Sequence, residues 1–462
     1  MGAAVTIADV SLWWEQVVAD DPDAARARPP LDGDTTADVV VVGGGYSGLW
    51  TAYYLLEADP SLDVLVLDAE VVGFGASGRN GGWCSALFPV GPDALARRHG
   101  PDAAHAMRAA LRDTVVEVGG VTAAEQIDCD FRFGGTVTLA RTSPQVDRVA
   151  AHVAEAGRWG DEEHLLDADG VAAHVRASGV LAGSWTPDCA SVQPARLVRG
   201  LAGVVEQRGA RIAEGTTVRR ISPRAVVTDR GTARCRWVVR ATEAWTAQQA
   251  PTRRAVAPVY SLMIATEPLP ADVWDRIGLD RGQTFADARH LVVYGQRTAD
   301  DRLAFGGRGA PYHAGSRIEP AYDRVPHVHE HLRRALVDLF PAVAGFEVTH
   351  TWGGPLAVPR DWHPSVGFDP DTGIGWAGGY VGDGVAASNL AGRTLADLVT
   401  GADTPLTRLP WVGHRSPAWE PEPLRWAGIT AARWAAAWSD RTERRTGRSS
   451  RAADALAPLL GG

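Results

Sequence analysis

The sequence predicts a two-domain α/β protein, α+β overall, on three observations. The run Asp38-Val-Val-Val-Val42 is continuously apolar, the pattern of a strand buried on both faces. A glycine turn, Gly43-Gly-Gly45-Tyr-Ser-Gly48, joins it to a helical stretch, and Val64–Leu67 then repeats the buried-strand pattern. The same alternation returns at 186–250 and 350–402, with segments of different texture between, so two domains interleave along the chain.

In chain order, residues 1–37 are polar and proline-bearing, with a small cluster at Trp13 and Trp14, and read as an arm packed on the body. The helix over Ser47–Glu57 places Leu49, Tyr53 and Leu56 on one stripe. Segments 38–90, 186–250 and 350–402 form the nucleotide-binding domain; a helix is expected over 195–208 and strands near Thr217-Val218, Ala225–Val227 and Trp237–Val239. Segments 91–185 and 251–349 form the second, mixed-sheet domain. It combines Ala/Arg-rich helices and a strand-like Gly135–Ala140 with strands at Val259–Thr266 and His290–Tyr294 and a helix near 325–339. Residues 403–462 are a helical tail: a helix over roughly 422–440 carries Trp426, Trp434 and Trp438, and Arg444, Arg445, Arg448 and Arg451 follow. The expected arrangement is a docked helix with a solvated basic end.

At 462 residues, 45% hydrophobic and 22% charged, the composition is that of a globular enzyme, and the net charge of −9 argues against nucleic acid as a partner. No lysine occurs, so all 46 basic residues are arginines, a bias expected of a high-GC bacterial genome. The four cysteines, Cys84, Cys129, Cys189 and Cys235, are scattered, which suits neither a disulfide framework nor a zinc site; no metal is expected. There is no transmembrane segment and no secretory signal pattern, and the expected location is cytoplasmic. Gly2 and Thr6 fit a myristoylation pattern by chance.

Three glycine-rich elements carry the chemistry. In Gly43–Gly48, Gly43 permits the tight turn, Gly45 lets the backbone approach a pyrophosphate, and Gly48 lets helix pack on strand; Tyr46 and Ser47 open the helix toward the phosphates. Asp68, closing the second strand, stands where a ribose hydroxyl would be gripped. Next comes Gly73-Phe-Gly75-Ala76-Ser77-Gly78-Arg79-Asn80-Gly81-Gly82-Trp83, with five glycines in eleven residues. Such a loop can run along an extended dinucleotide toward a flavin, with Arg79 or Asn80 reaching phosphate or ring edge, which favours FAD over NAD. The third element, Gly379-Tyr380-Val-Gly382-Asp383-Gly384-Val385, opens a helix whose positive end can stabilise negative charge on a reduced flavin.

With these residues in view, the chain resembles the glycine/sarcosine/D-amino-acid oxidase superfamily, especially its gamma-glutamylputrescine oxidase-like amine oxidoreductases. The likeness is carried by ADVVVVGGGYSGLWTAYYL, GFGASGRNGG and GWAGGYVGDGVAASNLAGRTLADL. It implies FAD in a Rossmann-like domain and oxidation of a carbon–nitrogen bond. It also implies that Val218 holds the adenine end, that Thr242 lies beside the cofactor, and that Gly353 and Gly382–Val385 lie near the ring. Relatives that tether flavin use a cysteine where His350-Thr-Trp352-Gly-Gly stands, so FAD is expected to be noncovalent. They also use a lysine toward oxygen, which this chain lacks. Asp383 stands where a histidine is common; it suits either a cationic amine or a cap for its own helix.

The expected reaction is hydride transfer from the α-carbon of a primary or secondary amine, or an amino acid, to flavin N5, the imine then being hydrolysed. The electron acceptor is O2 or another acceptor. Candidate catalytic and pocket residues are Arg79, Trp83, Tyr260, Tyr294, Arg308, Trp352, His363 and Tyr380, with Arg308 placed for an anionic substrate group. Two alternatives stay open: a flavin dehydrogenase feeding a quinone or carrier, and a non-catalytic FAD-containing binding or assembly protein.

Overall fold

The computed structural model describes residues 6–450 and residue 452; Gly2 and Arg451 lie outside the described residues. Two eight-stranded sheets and one of three strands organise the chain. In the first sheet Thr35–Val42 lies between Val64–Leu67 and Thr232–Arg240, parallel to both. Arg211–Ala213 extends it on one side; Ile374–Gly378 joins Thr232–Arg240 in parallel and pairs with Ser365–Asp369. Val39 to Val42 are buried, as four consecutive apolar residues covered on both faces should be. The helices Tyr46–Ala58 and Gly384–Thr400 pack on one another over this sheet, and both open at its carboxyl edge.

The second sheet runs Val348–Pro359, Val256–Thr266, Leu303–Gly307, Val293–Arg297, Thr284–Asp287, Thr136–Ala140, Ala182–Thr186 and His164–Asp167. It is antiparallel except between Thr284–Asp287 and Thr136–Ala140, a mixed sheet. Two details differ from the sequence expectation. The strand Val348–Pro359, grouped by sequence with the nucleotide-binding segments, pairs with Val256–Thr266 in the second sheet and spans between the two halves. The strand expected at His290–Tyr294 is Val293–Arg297, because the amides of His290 and Leu291 donate to the Asp440 carboxylate instead of to a neighbouring strand.

Asp440 belongs to the C-terminal helix, Leu424–Thr446. That helix docks through Ala432, Ala436, Ser439 and Glu443, which are buried, and Glu443 pairs with Arg148 at 2.9 Å. Its tryptophans point away: Trp434 is 64% exposed and Trp438 58%. No described helix is long and apolar enough to cross a membrane.

The N-terminal arm forms the helix Leu12–Asp20, capped by Ser11. Trp13 and Trp14 are buried, and their indoles reach into the glycine-rich loop: Trp13 Nε1 donates to Asn80 O at 2.8 Å and Trp14 Nε1 to Gly73 O at 3.4 Å. The arm is therefore part of the loop's support. Trp14→Ala should destabilise the fold by about 3–5 kcal/mol, the usual consequence of emptying a large buried site, with FAD retention falling in parallel. Urea denaturation and cofactor content read the two effects.

Candidate cofactor cleft and substrate pocket

A cleft of about 530 Å3 opens at the carboxyl edge of the first sheet. Gly43, Gly45, Tyr46 and Ser47 line it from the first turn, Asp68 from the second strand, Gly75, Ala76, Ser77 and Asn80 from the glycine-rich loop, and Gly382, Gly384 and Val385 from the third element. Val218 and Thr242 line it too. The three glycine-rich elements thus meet around one space.

The first turn needs its glycines for two separate reasons. Gly43 has φ +109, and a Cβ there would lie 2.4 Å from Ala241 O. Gly48 faces inward, where a Cβ would meet Gly43 O at 2.0 Å. The helix Tyr46–Ala58 has glycine as its N-cap, which supplies no side-chain cap, and only Tyr46 N finds a side-chain acceptor, Ser77 Oγ at 2.9 Å. Its positive end is left open to the cleft, as an anion requires.

In the glycine-rich loop the carbonyls are held from behind. Ser11 Oγ donates to Gly78 O at 2.7 Å, Trp352 Nε1 to Arg79 O at 2.9 Å and Gln296 Nε2 to Gly81 O at 2.7 Å. Asn80 Nδ2 bonds Ala76 O and Ser77 O. Among the described residues no acceptor is recorded for the amides of Gly75, Ala76 and Ser77, three residues that line the cleft. Backbone donors facing a cavity suit the phosphates and polar edges of a dinucleotide.

Asp68 anchors both strands of this wall. Its Oδ2 accepts Gly44 N at 2.7 Å and its Oδ1 accepts Glu70 N at 2.8 Å. Burial pushes its carboxyl up to about 6, against the pull of those two amides.

Several expected site residues have other placements. Arg79 is buried, with Nε on Phe74 O at 2.7 Å and Nη1 on Asp323 at 2.5 Å and Gly353 O at 3.1 Å. Its guanidinium is committed to the domain junction, away from a phosphate. Trp352 is 1% exposed and sits behind the loop, edge-on to Trp13, so it supports the site without lining it. Gly353 likewise faces Leu262 and the Arg79 clamp. Gly78 packs on Trp14, and Gly81 and Gly82 on Tyr294 and Gln296. Gly379 and His363 line a different cleft, where His363 is fully buried and stacked on His414. Burial lowers its pKa to about 4, so it stays neutral. Tyr380 lines the cofactor cleft, but its hydroxyl is bonded to Ser47 Oγ at 2.9 Å.

The remaining candidates divide between the two faces of the strand Val256–Thr266: Tyr260 turns away from the cofactor side, edge-on to His313 and Tyr322, which corrects its expected place in the pocket. Tyr294 shares a hydrogen bond with Ser261 at 2.9 Å and meets Trp83 edge-on. Trp83 Nε1 and Tyr260 Oη are buried without partners among the described residues. Asp383 does not cap its helix, which removes one of its two expected roles. Burial raises its carboxyl to about 6, and Arg308 opposes that rise. Arg308, exposed and lying 5.6 Å from the Trp362 ring centroid, also bears on Tyr294.

Sequence reasoning missed Glu243. It has φ +39, lines the cofactor cleft, and accepts Gly379 N at 2.8 Å. A glutamate in left-handed backbone leaves no signature in sequence.

The family described as DAO, FAD dependent oxidoreductase, matches residues 38–398. The gamma-glutamylputrescine oxidoreductase of Escherichia coli is 30% identical over 377 residues, 80% of this chain and 85% of that one. A probable oxidoreductase, OrdL, of Rhizobium meliloti is 30% identical over 410 residues, covering 86% and 90%. Among solved structures, glycine oxidase from Bacillus cereus superposes with a TM-score of 0.67 at 20% identity, over 82% of this chain and 99% of that one. L-proline dehydrogenase from P. horikoshii gives 0.68 at 19% identity, over 82% and 97%.

Two predictions follow from this geometry. Asp68→Ala leaves two amides unmet and should weaken FAD binding by about 1–3 kcal/mol, read by titrating the apoprotein with FAD. Burial raises Glu243 from 4.5 to about 7, against backbone amides that lower it. The folded state therefore holds a proton that the unfolded chain releases, and this stabilisation is full below 4.5 and lost as pH rises to 7. Glu243→Gln should remove up to about 3 kcal/mol of that slope, seen as a flatter pH dependence of apoprotein unfolding.

Proposed function

Because the chain belongs to the DAO family of FAD dependent oxidoreductases, we propose that it oxidises the C–N bond of a primary or secondary amine that also carries an anionic group. The observation that carries this reading is the pair Asp383 and Arg308. They are opposite charges, neither in an ion pair among the described residues, and within electrostatic reach of one another beside Tyr294. One free carboxylate and one free guanidinium near each other favour a ligand bearing ammonium and carboxylate at separate ends. The gamma-glutamylputrescine oxidoreductase among its relatives fits that chemistry by name.

FAD, when bound, supplies the two-electron oxidation. The residues of the chain bind, orient and deprotonate. Asp383 Oδ receives the ammonium at the mouth of the helix Gly384–Thr400 and takes up its proton, so that the lone pair is free when the bond to carbon is oxidised. Arg308 holds the distal anion, Trp83 Nε1 donates to a substrate acceptor, and the Tyr294 ring shields the centre from water. The uncapped helix end faces charge that accumulates on the cofactor. Noncovalent FAD is supported by a cleft with neither cysteine nor histidine in its lining. A cytoplasmic location is supported by four buried cysteines, all free. An acceptor other than O2 is a second reading, favoured by the absence of any lysine; less than one peroxide per amine consumed in air supports it, and stoichiometric peroxide removes it.

The test is anaerobic bleaching of the FAD-loaded protein by a panel of amines with and without a carboxylate. Carboxylated amines should bleach fastest. Arg308→Ala should raise their KM at least tenfold while leaving uncharged amines unchanged, and failure of every amine to bleach overturns the reading. In wild type, kcat/KM should rise with pH through about 6, as Asp383 ionises, and Asp383→Asn should abolish that limb.

A further inference from the structure

A second cleft, of about 520 Å3, lies behind the wall formed by Glu243 and Gly379. Its lining carries two arginines, Arg240 and Arg415, against the carboxylate of Asp369 and a Glu243 that burial pushes up to about 7. Arg240, at the end of the central strand Thr232–Arg240, is half-buried there, and Arg415 lies across from it, its guanidinium 4.9 Å from the Trp376 ring centroid. Arg240 and Trp376 are partners in register, so the strand pairing fixes where the first cation stands.

The acids nearby are held by backbone amides, though the Asp369 carboxylate also lies in the field of Arg415. Asp369 accepts Asp371 N at 3.1 Å within its own turn, and Glu243 accepts Gly379 N. His414 Nε2 is 2.9 Å from the Asp361 carboxylate, and His363 is neutral. Among the described residues neither arginine has a carboxylate within ion-pair distance. Burial and the charge of Arg415 both push the pKa of Arg240 down, the response of a cation that lacks a counter-charge. By contrast Arg79, between the sheets, and Arg219, on the cofactor cleft, are in ion pairs. Ser365 Oγ, on the same lining, donates to His414 O at 2.6 Å and accepts Trp376 Nε1 at 2.9 Å.

Two like charges facing one cavity are unfavourable until an anion joins them, and the cavity exceeds what an inorganic ion fills. We propose that this cleft binds a small organic dianion, a phosphate ester or a dicarboxylate, between Arg240 and Arg415. Bound there, the ligand sits across the Glu243–Gly379 wall from the cofactor, close enough to disfavour ionisation of Glu243 and so to register in the flavin environment.

The test is calorimetry on the FAD-loaded full chain with glycerol 3-phosphate, succinate and inorganic phosphate as separate probes. At least one organic dianion should bind below 1 mM, with affinity falling as salt rises. The stronger of the two arms identifies phosphate or carboxylate as the source. Arg415→Ala and Arg240→Gln should each weaken that binding at least tenfold, and Arg415→Ala should keep full FAD content. No heat from either organic probe, or unchanged affinity in the Arg415→Ala protein, overturns the proposal, and neither outcome bears on amine oxidation.

Discussion

A chain segment without side chains cannot hold itself in place, and the structure is organised around that constraint. The loop Gly73–Trp83 clears space for a cofactor by giving up its side chains, so its carbonyls must be held by groups from elsewhere. Three indoles, one serine, one glutamine and two side chains of the loop itself supply the donors. They come from the N-terminal arm, the second sheet and the strand Val348–Pro359. With the carbonyls turned outward to these donors, the amides of Gly75, Ala76 and Ser77 are left toward the cleft. The binding surface is thus a by-product of how the back of the loop is satisfied.

Arg79 converts the same constraint into a fixed relation between the glycine-rich loop and the second sheet. It is a buried cation, and its charge is met by Asp323 and by the carbonyls of Phe74 and Gly353. Removing one partner of such a cluster costs more than the cluster contributes, because the remaining charge stays buried. The glycine-rich loop and the strand Val348–Pro359 are therefore locked together at one guanidinium. A sequence reading that sent Arg79 to phosphate took the residue type correctly and its direction wrongly, since the charge it meets lies almost 250 positions downstream.

What could be read from sequence was what depends on local pattern. The strand Val64–Leu67 and the helix after Pro194 follow from apolar periodicity, and Gly43 and Asp68 from spacing around a strand–turn–helix. The docking of Trp13 and Trp14 on a loop some sixty residues away has no local signal beyond the pair of aromatics itself. The strand Val348–Pro359 looked like part of the nucleotide domain because its neighbours in sequence belong there; its pairing with Val256–Thr266 is a tertiary fact. His363 reads as a pocket candidate in sequence, while the fold buries it against His414.

The wall between the two clefts concentrates the remaining strain. Glu243 and Val381 both adopt left-handed backbone, φ +39 and +59, on either side of Gly379. For a β-branched valine this is costly, and it persists because the Val381 side chain is buried among Ala257, Tyr312, Val358 and Trp419. For Glu243 the compensation is polar: its carboxylate turns back onto the Gly379 amide, satisfying a donor at the end of a strand that has run out of partners. The turn Tyr380–Gly384 is thereby pinned at both ends, by apolar packing at Val381 and by a carboxylate before it. That rigidity is what lets Asp383 stand free of its own helix, since a turn held from outside does not need its side chain as a cap. A carboxylate released from structural duty in a half-buried position is the one group in this element available to a ligand's positive charge.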